Sequence, residues 1–386
     1  MGKKVRIFLF SDALGWEIVQ HYRFMCQELP YRYKVRTQLV YSSTAVPTIL
    51  SGEPPTVHKH FSFFFLDKNG KSPFGLFRYF HWFMHPAKLF NNHRIRHKVS
   101  KFLNKFFKFT GYFNIYQVPY SRLPLFDYCE KDDIFAPGGL KYVPNLCDML
   151  KDSGVKFHIS NWRNSDQTNL DEAVKLLNDG EMEFLFIYTA GLDGMLHFHV
   201  HEPDYVQQKL NAFAAEVKKL LTAAQENYTD WNLSLFSDHG MTPLSGTADL
   251  KTPVENCPYK FGKDYVAAYD STMMRLWFLN PACKADLMNA VNGQPGHWLT
   301  AAELEKYHVN FVDKQYGDEI FLMDPGIQIV PCDMGSKGIP GMHGYSPDDK
   351  DSEASFLTVQ PPPEIPQDIA GFFALMKQAA FEIKEI

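Results

Sequence analysis

The sequence predicts an α/β fold, a three-layer sandwich whose central sheet is mostly parallel. Two patterns and the composition support this prediction. Short apolar runs of the kind found in buried strands are each followed by polar residues, at 5–10, 35–41, 184–188 and 233–236. Between the last two runs, apolar residues recur at spacings of three and four, which predicts a helix that begins just after 202–204. With 45% hydrophobic residues, the 386-residue chain can bury a substantial core.

Charge and termini exclude several classes of protein. The 39 Lys and Arg residues are outnumbered by 44 Asp and Glu residues, so a net charge of −5 argues against a dedicated nucleic-acid binder. The first apolar run is too short for a signal peptide, and no run of about 18 apolar residues is present to span a membrane. The six cysteines form no Cys-x-x-Cys pair. We therefore expect free thiols and a cytoplasmic location.

Two segments interrupt the strand and helix alternation. Residues 57–145 are expected to form an inserted cap, because positions 58–110 hold eleven Lys or Arg, one acidic residue and fifteen aromatic residues. A smaller α+β lobe is expected at about 245–330, with a strand at 273–279 and a helix at 300–307. The remaining parts, 1–56 and 146–386, are expected to form the α/β core that carries this lobe.

Acidic residues and histidines follow the predicted strands. In parallel α/β sheets, ligands bind at the carboxyl ends of the strands, so these side chains are expected to meet. Three carboxylates and three imidazoles match the donors of two divalent transition ions, most naturally zinc, with manganese as the alternative. The candidate ligands are Asp12, Asp193, His197, Asp238, His239 and His343.

The order of these residues resembles the alkaline phosphatase superfamily, specifically its type I phosphodiesterase and nucleotide pyrophosphatase branch. The most specific piece is the stretch Ser-Asp-His-Gly-Met at 237–241, and the Asp-x-x-x-His at 193–197 and the Gly-x-His-Gly-Tyr at 341–345 also match. The resemblance implies that one ion takes Asp12, Asp238 and His239. It implies that the other takes Asp193, His197 and His343.

The resemblance also implies a Ser or Thr nucleophile at the start of a helix, about ten residues before the Gly of a Thr/Ser-Gly-x-x-Pro element. Counting ten residues back from Gly52 gives Ser42. Thr44 is the rival, because the branch often uses Thr, and Ser43 is the third candidate. All three hydroxyls would also be compatible with a helix cap.

The implied activity is two-metal phosphoester hydrolysis through a Ser or Thr phospho-enzyme, more of the phosphodiesterase or pyrophosphatase type than of the monoesterase type. A phosphomonoesterase or a phospho-group transferase of the same superfamily is the first alternative. A sulfatase would need a C/S-x-P-x-R element, and Thr44 and Val46 stand where Pro and Arg are required. A non-catalytic protein that retains the fold would be expected to have lost ligands.

The basic and aromatic segment 58–110 has two interpretations. It is either a cap with a Phe-rich core and a solvated basic face, or a lid that receives an anionic amphiphile or lies on an anionic membrane surface. Arg94, Arg96 and Lys98 are the candidate substrate-binding residues within it. The expected partners are a phosphorylated small molecule, such as a saccharide or nucleotide, or a lipid-linked substrate, together with peripheral membrane contact. Nucleic acid is disfavoured by the net charge.

Overall fold

The computed structural model describes residues 3–80 and 92–384. Its strands are β1 (Lys4–Ser11), β2 (Tyr31–Val35), β3 (Phe64–Leu66), β4 (Phe126–Tyr128), β5 (Phe157–Ile159), β6 (Phe184–Thr189), β7 (Asp230–Phe236), β8 (Thr242–Pro243), β9 (Gly246–Ala248), β10 (Tyr265–Tyr269), β11 (Met273–Phe278), β12 (Gly296–Trp298), β13 (Glu319–Met323), β14 (Ile327–Ile329), β15 (Gly341–Met342) and β16 (Ala354–Thr358). Its helices are α1 (Trp16–His21), α2 (Ser42–Ser51), α3 (Pro55–His58), α4 (Phe77–Phe80), α5 (His93–Phe107), α6 (Leu146–Ser153), α7 (Asp166–Asp179), α8 (Gly191–His199), α9 (Pro203–Asn227), α10 (Lys251–Glu255), α11 (Lys284–Asn289), α12 (Ala301–Lys306) and α13 (Gly371–Lys384).

The central sheet has the strand order β2-β16-β7-β1-β6-β5. Strand β1 pairs in parallel with β6 and β7, β5 pairs in parallel with β6, and β16 runs antiparallel to its neighbours β7 and β2. The predicted mostly parallel sheet is therefore confirmed. Parallel pairing brings the carboxyl ends of β1, β6 and β7 to one edge.

Alternation along β1 explains the helical layers on both faces of the sheet. Val5, Ile7 and Leu9 pack in one buried cluster with residues of α7 and α9. Phe8 and Phe10 point to the opposite face, into a cluster with residues of α2, α6 and α13. Since successive side chains of a strand point to opposite faces, one continuous apolar run supplies both halves of the core.

The second strand lies earlier in the chain than the apolar run at 35–41 predicts. It spans Tyr31–Val35, and among the described strands it pairs only with β16. As an edge strand it contains polar, partly exposed residues. The apolar stretch Leu39, Val40 and Tyr41 is buried in the cluster of the smaller lobe, and Val40 has a positive φ of 90° that no regular strand adopts. A loop that is buried by a second lobe can therefore have the same short apolar run as a buried strand.

The smaller lobe contains a four-stranded sheet in the order β10-β11-β13-β12, and its predicted strand and helix are present as β11 and α12. The basic segment packs against this lobe: residues of β3, β4 and α5 share a cluster with Trp277. Buried Arg275 joins the two parts, because its guanidinium donates to the carbonyl of Phe64 at 2.8 Å and to Ser62 Oγ at 3.0 Å. No helix in the described part of the chain is both long and apolar enough to cross a membrane.

Candidate metal centre and active site

The candidate ligands lie at the carboxyl edge of the central sheet. Asp12 directly follows β1, and Asp193 and His197 lie on α8, which begins two residues after β6. Asp238 and His239 follow β7, and His343 directly follows β15. The loop after β7 lies close to the backbone of 351–353, because a Cβ at Gly240 would lie 2.2 Å from the carbonyl oxygen of Asp351. A glycine is therefore required where the sequence places one.

One group of donors converges on Asp193. Its Oδ1 atom lies 3.4 Å from His197 Nε2 and 3.5 Å from His343 Nε2. His197 Nδ1 donates a hydrogen bond to the carbonyl of Gly341 at 2.9 Å. Because a carbonyl can only accept, Nδ1 carries a hydrogen and Nε2 is the nitrogen that faces Asp193, as in histidines oriented for a metal.

A second group joins Asp12, Asp193 and His239, whose ligand atoms lie within 4.8 Å of one another. His239 Nε2 lies 3.5 Å from Asp12 Oδ1 and 3.2 Å from Asp238 Oδ2. Asp193 thus belongs to both groups, between the two sets of histidines. The ring of His239 stacks on that of His343 at a centroid distance of 3.8 Å, which brings the two sets together.

The charges at this edge are poorly compensated by protein groups. Burial raises the pKa of Asp12 well above its ordinary value, and the nearby carboxylates of Asp238 and Asp193 raise it further. Burial raises the pKa of Asp238 as well. For Asp193, burial acts in the same direction, but the interactions with His197 and His343 prevail and lower its pKa. Burial and the neighbouring His239 lower the pKa of His343 well below its usual range.

These residues fit a divalent cation. Three of their carboxylate oxygens are buried without any hydrogen-bond partner among the described residues: Asp12 Oδ1, Asp193 Oδ1 and Asp238 Oδ2. Unpaired buried carboxylate oxygens are costly, and cations bound beside them would remove that cost. Carboxylate and imidazole donors are those that zinc and related ions prefer.

The three candidate nucleophiles differ sharply in their surroundings. Ser42 is the first residue of α2, and its Oγ lies 3.0 Å from His239 Nε2. His239 Nδ1 donates to the carbonyl of Gly240 at 2.9 Å, so Nε2 accepts the hydrogen bond from Ser42. Thr44 is 0% exposed, and its hydroxyl donates a hydrogen bond to the carbonyl of Phe61. Ser43 is buried, and its Oγ has no partner among the described residues.

A cavity of about 480 Å³ opens onto these residues. Ser42 and Ser43 line it together with Asp12, Asp193 and His343, whereas Thr44 does not. The N-terminus of α2 therefore opens into the same space as both groups of metal donors. Backbone N–H groups at a helix N-terminus favour an anion, and a phosphate placed there would also lie beside the carboxylates and imidazoles.

A model of the type I phosphodiesterase / nucleotide pyrophosphatase family matches residues 40–346. The chain belongs to this family. The match confirms the resemblance seen in the sequence, and as a member of this metal-dependent family the protein is a phosphoester hydrolase. None of the curated proteins matches the sequence.

Solved structures of the phosphodiesterase family share the fold. Murine and human ectonucleotide pyrophosphatase / phosphodiesterase 5 superpose with TM-scores of 0.67 and 0.68, each at 12% identity over 98% of this chain and 95% of theirs. An inactive variant of the murine protein in complex with AMP gives a TM-score of 0.66 at 13% identity, with the same coverage. At such low identity the likeness establishes the fold.

The basic residues predicted to bind substrate in this phosphoester hydrolase are placed differently from one another. Arg94 and Lys98 are exposed on α5. Arg96 corrects the prediction: it is 2% exposed, and its guanidinium donates to the carbonyls of Tyr116 and Val118. It faces inward because it lies on the same side of α5 as buried Leu103, so it holds the helix in place and is not open to substrate.

Sequence reasoning missed an aromatic wall of the cavity. Phe63, Tyr112, Tyr116 and Trp162 line it, together with the carboxyl group of Glu130. The rings contact one another, with centroid distances of 5.4 Å for Phe63 and Tyr112 and 6.3 Å for Tyr112 and Trp162. Burial raises the pKa of Glu130 to about 8. The sequence signal for Glu130 is the group of acidic residues at 127–133, which follows the stretch 68–126 without Asp or Glu.

Proposed function

We propose that this family member is a two-metal phosphodiesterase or pyrophosphatase that acts through a phosphoserine intermediate on Ser42. The observation that carries the proposal is the contact between Ser42 Oγ and His239, at the edge where both groups of metal donors meet. Zinc is the proposed ion and manganese the alternative, because imidazole and carboxylate donors suit both. The proposed ligands are those expected from the sequence, with Asp193 placed between the two sites.

A bound divalent cation would polarise a phosphoryl oxygen and make a nearby hydroxyl a better nucleophile. The chain itself supplies the alignment. Ser42, at the first turn of α2, would receive the phosphate at the helix N-terminus. Its Oγ forms a bond to phosphorus as the bond to the leaving oxygen breaks, and the serine proton passes to solvent while the leaving oxygen takes one. Water then hydrolyses the phosphoserine and restores the hydroxyl.

The substrate proposal rests on the cavity. Its aromatic wall, which includes Phe63 and Trp162, offers flat apolar surface for an organic group bonded to the phosphate, as a diester or pyrophosphate carries. We propose a phosphorylated small molecule, such as a nucleotide or saccharide derivative, or a lipid-linked phosphodiester. A phosphomonoesterase or phospho-group transferase that uses the same residues is the second candidate. The cytoplasmic location expected from the sequence stays a prediction, and so do the predicted domain limits and peripheral membrane contact.

Adjacent hydroxyls allow a matched test of the nucleophile. Ser42→Ala should lower kcat on bis(p-nitrophenyl) phosphate by roughly three orders of magnitude or more, because it removes the attacking atom. Ser43→Ala is the control, since it makes the same change one residue away, and it should stay within about tenfold of the parent. Thr44→Ala should also be mild. Acid-quenched peptides should carry a phosphoryl group on Ser42.

Two outcomes would contradict this assignment. A larger loss of turnover for Thr44→Ala than for Ser42→Ala would make Thr44 the nucleophile. Full turnover of Ser42→Ala in buffer with saturating zinc would exclude a phosphoserine intermediate. Comparing kcat/KM on the diester with that on p-nitrophenyl phosphate decides between the diesterase and the monoesterase, and the proposal expects the diester to be preferred.

A further inference from the structure

Positive charge is concentrated in one part of the chain. Eleven Lys or Arg and no Asp or Glu lie between positions 68 and 126, although the whole chain has a net charge of −5. Helix α5 (His93–Phe107) carries five of these basic residues. Such an uneven distribution is more typical of a surface that meets a polyanion than of a cap with randomly placed charges.

Helix α5 separates its residues by face. Arg96, Ser100 and Leu103 are buried toward the protein. The opposite face presents exposed basic residues at spacings of four, three and four, namely Arg94, Lys98, Lys101 and Lys105. In the described part of the chain, no carboxylate lies within 4.0 Å of these four cations. Their charge is therefore available to an external partner.

Two phenylalanines flank this basic face. Phe102 is 67% exposed and Phe106 is 59% exposed, and their rings stack at a centroid distance of 6.1 Å. The pair lies one helical turn apart, beside Lys101 and Lys105, and so forms an exposed apolar ridge along the cationic stripe. Exposing two large aromatic rings side by side is unfavourable in water unless a partner covers them.

We infer that the exposed face of α5 docks on an anionic lipid bilayer. Phe102 and Phe106 enter the region between headgroups and acyl chains, while the four cations meet lipid phosphates. A second copy of this chain fits poorly, since it would bring two cationic stripes together. Single-stranded nucleic acid also fits poorly, because the two rings stack on each other instead of presenting separate faces to bases.

The docking face is fixed to the cavity wall through buried contacts. Arg96 donates to the carbonyl of Tyr116, and Ser100 Oγ accepts from the backbone N–H of Ile115 at 3.1 Å. Tyr116 itself lines the cavity. A bilayer bound at α5 would therefore lie against a part of the protein that is rigidly connected to the active-site cavity. This inference does not depend on the chemistry proposed at Ser42.

Vesicle binding by the full chain tests the inference. We expect binding to vesicles of phosphatidylcholine mixed with phosphatidylglycerol, and little binding to phosphatidylcholine alone. Replacing Lys98, Lys101 and Lys105 together by Gln should weaken the partition coefficient by about 100-fold, since each basic residue near an anionic surface contributes severalfold. Phe102→Ser with Phe106→Ser should weaken it by about tenfold or more.

Matched controls make the result specific. Replacing the exposed residues Lys175, Lys209 and Lys377 by Gln removes the same charge elsewhere, and Phe381→Ser with Val312→Ser removes exposed apolar groups elsewhere. Both controls should bind vesicles like the parent. Equal losses in controls and α5 variants would overturn the inference, and so would tighter binding of the parent to single-stranded DNA than to anionic vesicles. Self-association that the Phe102 and Phe106 changes abolish would assign the face to a second copy.

Hydrolysis of a soluble chromogenic diester, measured on the same samples, separates this inference from the proposed function. The variant with Phe102→Ser and Phe106→Ser should keep the parent's kcat, and Ser42→Ala should bind anionic vesicles as the parent does. Loss of vesicle binding by Ser42→Ala would contradict the independence of the two surfaces.

Discussion

Charged residues are concentrated both at the carboxyl edge of the central sheet and on helix α5, but they are buried at the sheet edge and mostly exposed on the helix. At the sheet edge, Asp12 and Asp238 are at most 5% exposed, and each has a buried carboxylate oxygen without a hydrogen-bond partner among the described residues. On α5, the charges of Arg94 and Lys98 are exposed and pair with no carboxylate of the described residues, and the buried cation, Arg96, donates to backbone carbonyls.

The difference shows how to interpret an unpaired charge. A buried group without a partner is costly, so its presence implies a ligand that fits the site closely. An exposed charge costs little, and only its clustering with apolar surface indicates a partner. The sheet edge therefore argues for an ion, and α5 argues for an extended anionic surface.

Glu130 lines the same cavity as Asp12 and Asp193, and its titration would sharpen the comparison. Its folded-state pKa of about 8 lies above the ordinary 4.5. The protonated carboxyl therefore makes its full contribution to the free energy of unfolding below about pH 4.5, and this contribution is lost as the pH rises through 8. Glu130→Gln should therefore gain free energy of unfolding relative to the parent at pH 8.5, on the order of a few kcal/mol, and little at pH 5.

Chemical denaturation at both pH values measures this effect. Glu226→Gln, a change at an exposed carboxyl group, is the control and should show no such pH dependence. A pH-independent difference in the free energy of unfolding between Glu130→Gln and the parent would mean that the Glu130 carboxyl is already ionised in the folded protein. The cavity wall would then be polar around Glu130, which would contradict this prediction.

Two arginines of α5 offer a smaller effect within a single helix. Arg96→Met should lower the free energy of unfolding by about 2 kcal/mol or more, because it leaves the carbonyls of Tyr116 and Val118 without their donor. Arg94→Met, two positions earlier and exposed, should change it by less than about 0.5 kcal/mol. Urea denaturation compares the two. Equal losses in the free energy of unfolding for the two variants would contradict the distinction between a buried Arg96 and an exposed Arg94.

Sequence patterns predicted the residues at the sheet edge far better than the positions of Arg96 and Glu130. Asp12, Asp193, Asp238 and the histidines near them lie in or just after apolar runs, so local periodicity places them at one edge of the sheet. Runs of neighbouring residues are enough to reveal such positions. Strand β2 is the exception: its position was predicted wrongly because an edge strand contains polar, partly exposed residues.

The rest depends on contacts between distant residues. The inward direction of Arg96 follows from which face of α5 packs on Leu103 and its neighbours, and a stretch with six Lys or Arg residues between 92 and 108 does not reveal that face. Glu130 lines the cavity because the polypeptide after β4 packs against the central sheet, where Phe135 contacts Tyr188 of β6. Tertiary packing decides both positions, and neither leaves a periodic signal.

Metal binding tests the central claim most directly, because Asp193 belongs to both groups of donors. The chelated and dialysed parent should bind two zinc ions per chain by calorimetry and mass spectrometry under native conditions, and bound metal should raise its melting temperature. Asp193→Asn should weaken both sites by well over the roughly 10–100-fold typical of outer-shell changes, while Asp171→Asn, a change at an exposed carboxyl group, should bind like the parent. Undiminished binding of two ions by Asp193→Asn, with normal diester turnover, would contradict the account.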